Sequence, residues 1–417
     1  MRFRLLSLDV IRGIGLVGVV FLHAALYQYG GLFSLDMDNP PVTVTIIGFL
    51  LMWAGLFALV STCAYAIQLY RRMQEHQPIG RLVRDLIVKG LLVLVLSVVY
   101  FMVFGPALVN FDADQYTHSL LGGLLHEGRW TPFSFERLVY VDALVMLAWN
   151  VIFFGFFTWL LKPKFERIQH FSVWLMIIGT VVVFAGAVRI PLFSWYESYI
   201  DSSNPFLGWA VSQLVNKNNP ILPFLGFGLI GASIGFSVAQ DWQRIRRRTV
   251  GLIGLAWLIV GGVTMFLLPD TMLERTIDWT WYAITFVLLG LFILLLVGLQ
   301  RLFDAPARQA PFHRRLYPLL RFGRVPLTVF FLETPVRELY MHVWNAIWPG
   351  WSDTIPVTLM FAASLVGLWA IFLWLWEKAS YIGTVEWLLA QVYRWCRVLS
   401  DKPSAITTQE VTRPFSE

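Results

Sequence analysis

Eight ionisable residues interrupt the apolar stretches of this chain. Asp9, Arg12 and His23 lie in one such stretch, Asp142 in another, and Glu333, Arg337, Glu338 and His342 in a third. An ionisable side chain at the middle of a membrane-crossing helix costs on the order of 3 kcal/mol, so each of these groups needs a partner or a wet chamber. A histidine in such a chamber titrates near neutrality and can take a proton from a hydroxyl or an amine, while a neighbouring carboxylate fixes its tautomer and supports the imidazolium. His23 is the candidate base, Glu338 or Asp142 the candidate carboxylate, and Arg337 the candidate stabiliser of a developing oxyanion. Glu338 and His342 have helical ligand spacing, but no third and fourth ligand accompany them, and no metal is expected.

The same residues admit other readings. Glu333 and Arg337 are four apart, as are Glu338 and His342, and either couple can pair along one helix face. Asp9 and Arg12, three apart near a helix start, can anchor that helix at the interface. Two further function classes therefore stand beside an enzyme. One is a proton-coupled transporter or translocator of a lipid-linked substrate, with Glu333 and Arg337 beside Pro335 as its gate. The other is a scaffold whose polar pairs only fix helix packing.

The elements that must position these residues are membrane helices. The 417 residues are 57% apolar and only 14% charged, with a mean hydropathy of +0.65, which excludes a soluble or disordered chain. A hydrocarbon core about 30 Å thick needs roughly 20 apolar residues in a helix. Ten runs meet this, near 8–27, 43–70, 86–105, 138–161, 171–189, 220–240, 250–268, 279–303, 325–343 and 355–376. The expected fold is all-α and polytopic: a ten-helix domain over residues 1–378, then a cytosolic amphipathic helix and tail over 379–417, with 381–399 lying along the interface. At about 1.5 Å rise per residue, His23, Arg337 and Glu338 fall in one layer roughly 20 Å from the inner boundary, and Asp142 falls near the same level.

The net charge of +6 is a topology signal. Arg71, Arg72, Arg81, Arg84, Lys162, Lys164, Arg167, the arginines of 244–248 and those of 301–324 all fall on one set of connections. The other set holds Arg129, Arg137, Arg189, Lys217 and Arg275. The positive-inside rule then places both termini in the cytosol, and no nucleic-acid partner is expected. Cys63 and Cys396 lack the number and spacing of a disulfide framework. The connections 106–137 and 190–219, rich in Trp, Tyr, Asp, Asn and His, are longer than topology requires and are expected to form an outward-facing cleft for a polar partner.

Three stretches resemble known membrane proteins. SLDVIRGIGLVGVVFLHA, with Asp9, Arg12 and Gly13 fourteen residues before His23, resembles the first-helix signature of the transmembrane acyltransferase superfamily, which includes bacterial O-acyltransferases and heparan-α-glucosaminide N-acetyltransferase. FGRVPLTVFFLE (Phe322 to Glu333) and YIGTVEWLLAQVYR (Tyr381 to Arg394) are similar to segments of the YeiB-like bacterial proteins, although Thr384 stands where their motif has Pro and His23 where they often carry Asn. The resemblance implies transfer of an acyl group, most simply acetyl, from cytosolic acyl-CoA to a glycan or glycolipid acceptor at a bacterial cytoplasmic membrane. By that resemblance His23 is the catalytic histidine and Arg12 the signature arginine. Arg71, Arg72, Arg81, Arg84, Arg321 and Arg324 gather where the phosphates of CoA would enter. Glu333 and His342 are then expected beside the acceptor.

Overall fold

The computed structural model describes residues 5–36, 39–111, 113–165, 167–201, 204–216, 218–240, 244–268, 277–304 and 306–400. Lys217, Arg275 and the tail beyond residue 400 lie outside the described residues.

The chain opens with α1 (Leu6–Tyr27), then α2 (Val42–Leu51) and α3 (Ala54–Gln74), two pieces of one apolar stretch broken at Met52 and Trp53. After α4 (Ile79–Val99) come a hairpin of β1 (Leu108–Asn110) and β2 (Gln115–Thr117), with Val109 opposite Tyr116, and the short helices α5 (Leu120–Glu127) and α6 (Phe135–Val139). Next are α7 (Ala143–Leu161), α8 (Ile168–Ala185), α9 (Arg189–Asp201), α10 (Pro205–Val215), α11 (Ile221–Ala239), α12 (Arg244–Leu267) and α13 (Trp279–Phe303). The last part holds α14 (Pro306–Arg315), α15 (Tyr317–Phe322), α16 (Pro326–Ile347), α17 (Ile355–Lys378) and α18 (Val385–Ser400).

Nine helical stretches among the described residues are long and apolar enough to cross a membrane, and they coincide with nine of the ten runs read from the sequence. This is an all-α polytopic integral membrane protein. The remaining run is α16, 22 residues long and set apart by the charges of Glu333, Arg337 and Glu338. α18 exposes Trp387, Leu388, Val392 and Trp395, as an interfacial helix would.

The two long connections, read from the sequence as loops, are folded instead. Residues 106–137 form the hairpin with α5 and α6, and 190–219 form α9 and α10. Local signals fix them. Ser119 accepts from Gly122 N to start α5, and Gly128, with φ 74°, ends it in the left-handed conformation. Asn204 caps α10 ahead of Pro205.

Two bodies of packing hold the bundle. In one, α11 lies against α3, α7 and α8, with Phe224, Phe227, Ile230 and Ile234 in the core. A Cβ at Gly231 or Gly235 would stand 2.1 and 2.3 Å from the carbonyl oxygens of Leu59 and Cys63, so the bare backbone of α11 is what lets α3 approach. In the other, α1 packs against α15, α16 and α17 through Val20, Ala24, Val329, Phe361 and Trp369. This second body brings His23 and Glu333 side by side.

Of the three stretches that carry the resemblance, the middle one touches both of the others. A Cβ at Gly13 would lie 2.4 Å from Leu319 O, and one at Gly323 would lie 2.9 Å from Asp9 O, so α1 and α15 touch backbone to backbone. Glu386 accepts hydrogen bonds from Leu327 N (2.5 Å) and from the Thr328 hydroxyl (2.6 Å), and that hydroxyl accepts from Val385 N (2.9 Å). A carboxylate thus caps the start of α16, where unpaired N–H groups and the helix dipole favour negative charge. The register of α16 is fixed from this end.

Candidate active site

At the other end of α1 and α16 a chain of charged contacts runs across three elements, α1, α16 and α5. His23 Nδ1 lies 3.1 Å from Glu333 Oε2, and Arg337 Nη1 donates to Glu333 Oε1 at 3.1 Å. Arg337 Nη2 and Nε donate to Glu338 Oε1 at 2.9 and 3.3 Å. Glu338 Oε2 lies 2.8 Å from Nδ1 of His126, on α5. Gln28, at the end of α1, adds a donor to Glu338 Oε1 at 3.2 Å, and the Tyr27 ring lies 4.8 Å from the Arg337 guanidinium. Each carboxylate therefore gives one oxygen to the arginine and the other to an imidazole.

Burial separates the centre of this chain from its ends. The side chains of Glu333, Arg337 and Glu338 are at most 2% exposed, whereas those of His23 and His126 are 19% and 34% exposed. The centre holds two carboxylates against one guanidinium, a net charge of −1 with both histidines neutral. One proton on one imidazole neutralises the group. His126 can hold it: its hydrogen bond to Glu338 raises its pKa above the ordinary histidine value, against the opposing effect of its partial burial. His118 stacks on it with ring centroids 4.6 Å apart, and burial together with the nearby His126 lowers the pKa of His118.

With Nδ1–H turned to Glu333, His23 would carry its lone pair on Nε2, the arrangement in which a carboxylate orients an imidazole that can accept a proton. The ring of Tyr27 meets it edge-on at 5.7 Å, one helical turn away on α1.

The structure redistributes the roles read from the sequence. Glu333, expected beside the acceptor, is the carboxylate on His23, and its i,i+4 pairing with Arg337 is present. Glu338 is bonded to His126, Gln28 and Arg337 instead of His23. Asp142 accepts from Val145 N as the N-cap of α7, and its buried carboxylate takes no side-chain part in the chain of contacts. Arg337, expected to stabilise an oxyanion, is enclosed between two carboxylates, to which its Nε, Nη1 and Nη2 donate. His342 does not pair with Glu338. Its Nε2 meets Leu125 O at 2.6 Å and ties α16 to α5.

His126, His118 and Gln28 were not picked out from the sequence. His126 and Glu338 are 212 residues apart, and α5 is too short for a periodic signal. The histidine content of 106–137 was the only sign of them.

The arginines at the far end fall into two groups. Arg321 and Arg324 both grip Glu377, at 2.7 and 2.5 Å, with Tyr317 beside both guanidinium planes. Arg72 holds Asp85 at 2.6 Å, and Arg12 stands 3.5 Å from Asp9. Arg71 and Arg81 are exposed and Arg84 is half-buried where α3 gives way to α4. Among the described residues, no three His, Cys, Asp or Glu side chains are placed to hold a metal ion.

Neither protein-family models nor curated proteins yield a match to this chain. What can be said of its chemistry rests on the residues above.

Proposed function

We propose that the protein is a membrane-embedded acyltransferase. It would move an acyl group, most simply acetyl, from cytosolic acyl-CoA to a hydroxyl or amine of an extracytoplasmic or membrane-bound glycan or glycolipid. In this reading α16 is a tenth span, both termini are cytosolic, and the membrane is the bacterial cytoplasmic membrane. The observation that carries the proposal is the 3.1 Å contact between His23 Nδ1 and Glu333 Oε2, at one of the two partly exposed ends of an ionic cluster whose centre is sealed. The resemblance of the first-helix residues supports it independently.

His23 Nε2 takes the proton of the acceptor hydroxyl as its oxygen attacks the thioester carbonyl. Glu333, bonded to Nδ1, stabilises the imidazolium that forms. The carbon–sulfur bond then breaks, and the departing thiolate takes the proton back from His23. Arg337 acts by holding Glu333 in place. Arg71, Arg72, Arg81, Arg84, Arg321 and Arg324 are the cations proposed to meet CoA phosphates; of these Arg72, Arg321 and Arg324 also hold carboxylates.

A proton-coupled transporter is the second reading, favoured by the five-member chain from His23 to His126. Arg337 argues against it: a guanidinium does not give up its proton, so it interrupts a relay between the two carboxylates. Transfer of labelled acetyl from acetyl-CoA to membrane material separates the two. We expect His23→Ala to lower transfer by about 10²–10⁴-fold with its unfolding midpoint close to that of the unsubstituted protein. Full transfer in His23→Ala, or no labelled product from the unsubstituted protein, would sink the proposal.

A further inference from the structure

The turn of α1 that follows His23 borders an apolar crevice. It is closed on one side by Leu26 and Leu32, on another by Val44 and Ile47 of α2, and on the third by Ile355 and Leu359 at the start of α17. Its volume is about 40 Å³, several times what one water needs. Two hydroxyl-bearing residues, Tyr29 and Thr358, stand among its apolar walls, and the Thr358 hydroxyl already lies 3.0 and 3.3 Å from the carbonyls of Thr354 and Ser352. A cavity with such walls stays dry and takes an apolar guest.

α2 makes the mouth of this crevice. The apolar stretch that should form one continuous span breaks at Met52 and Trp53, where Met52 N and Trp53 N bond back three residues to Phe49 O and Leu50 O. No residue of α2 is buried, whereas the following α3 is buried along most of its length. The broken piece packs on α1 only through part-buried residues such as Ile47, and its other side, with Val42 and Ile46 exposed, belongs to an apolar stretch long enough to cross a membrane. Leu26 lies three residues from His23, hence on the same side of α1, about 5–6 Å apart at Cβ.

We infer that the crevice between α1, α2 and α17 binds an acyl chain of a membrane lipid, and that this lipid is the anchor of the acceptor. The chain enters sideways past α2. Its first methylenes lie against Leu26 and Leu359, and its head group stands at the end of the bundle that carries α5, next to the exposed edge of His23. The identity of the lipid as acceptor rests on the acyl-transfer reading; the occupation of the crevice does not.

Photocrosslinking in nanodiscs tests this. The protein is placed in phosphatidylglycerol nanodiscs doped with phosphatidylglycerol bearing a diazirine on one acyl chain, and labelled peptides are mapped. We expect labelling concentrated on Leu26, Ile47 and Leu359, several-fold above that on Leu252, Ile259 and Phe266, which are exposed on α12 and serve as the ordinary lipid-facing surface. Leu359→Trp should suppress the crevice label and leave the α12 label unchanged. Val44→Trp should do the same on a helix that buries nothing, which covers the case in which the α17 variant fails to fold. Even labelling of both surfaces, or a crevice label that persists in a folded Trp variant, would overturn the inference. His23→Ala should keep the crevice label, so a failed transfer assay and a failed crevice remain distinguishable. If transfer is present, Val44→Trp should raise KM for a lipid-linked acceptor about tenfold while leaving a short water-soluble acceptor unaffected; equal effects on both would refute the anchoring role.

Discussion

Two regions of this protein bury polar side chains equally well, and they do so by opposite means. Where α11 meets α3, α7 and α8, the groups are neutral. Thr62 Oγ1 lies 2.7 Å from both Ala58 O and Gly228 O, Ser172 donates to Ser233 O at 3.0 Å, and Asn150 donates to Met146 O at 2.9 Å. Each answers to a backbone carbonyl and carries no charge. Between α1, α16 and α5 the groups are two carboxylates, a guanidinium and two imidazoles. Burial of polar atoms is thus no mark of function by itself. What distinguishes the second region is charge kept out of water, with an imidazole at each of its two accessible ends.

The largest expected effect breaks that contrast at its centre. Arg337→Leu leaves Glu333 and Glu338 without a counter-charge and should destabilise the protein by about 3–5 kcal/mol. Thr62→Val, which removes only a neutral hydrogen bond, should cost about 1 kcal/mol. Unfolding curves in the same detergent compare them, and equal losses would erase the distinction between the regions. The neutral region has its own sensitive point in the bare backbone of α11. Gly231→Val should cost about 1–3 kcal/mol by overpacking against Leu59, whereas Gly18→Val, with no neighbouring atom within 4 Å, should be close to neutral. A harmless Gly231→Val would mean that α11 and α3 have room to separate.

Smaller effects sharpen the boundary of the charged region. Asp142→Ala should cost about 1 kcal/mol, the worth of a helix cap, and should leave acyl transfer intact, because Asp142 serves α7 and not His23. Loss of transfer in a folded Asp142→Ala protein would return that carboxylate to the site.

The smallest effect is a pH dependence. His126 has a raised pKa, so its contribution is complete below the ordinary histidine value of about 6.5 and is lost as pH rises through its folded value. The stability difference between the unsubstituted protein and His126→Gln should therefore be greatest in acid and shrink toward alkaline pH. His118, Glu127, Glu338 and Arg337 face the same imidazole. His118, whose pKa is lowered, pulls the other way, losing its contribution as pH falls, and it is common to both proteins in the comparison. A difference that stays flat with pH would show that His126 does not carry the proton assigned to it.

Much of the charged region was legible within single helices. The four-residue step from Glu333 to Arg337 predicts their ion pair, and a helix rising about 1.5 Å per residue puts His23 and Arg337 in one layer. The partners across helices were not legible. Glu333 and Glu338 are adjacent enough on α16 to compete for the same histidine, and only the side of α16 that faces α1 decides that Glu333 receives it. His342 has ideal spacing for Glu338, yet it turns to a backbone carbonyl of α5, an element no periodicity announces.

The sequence by itself determined that this is a helical membrane protein, where nearly all of its spans lie, and which residues are too costly to be left unpaired in hydrocarbon. Those properties depend on run length and composition along the chain, because each helix satisfies its own backbone hydrogen bonds within one segment. Only the tertiary structure decided that α2 stands away from α3, that α5 folds back over α16, and that the two imidazoles flank one sealed ionic group. Pairings between residues more than 200 positions apart depend on which helix faces meet, and that is set by packing in the bundle as a whole.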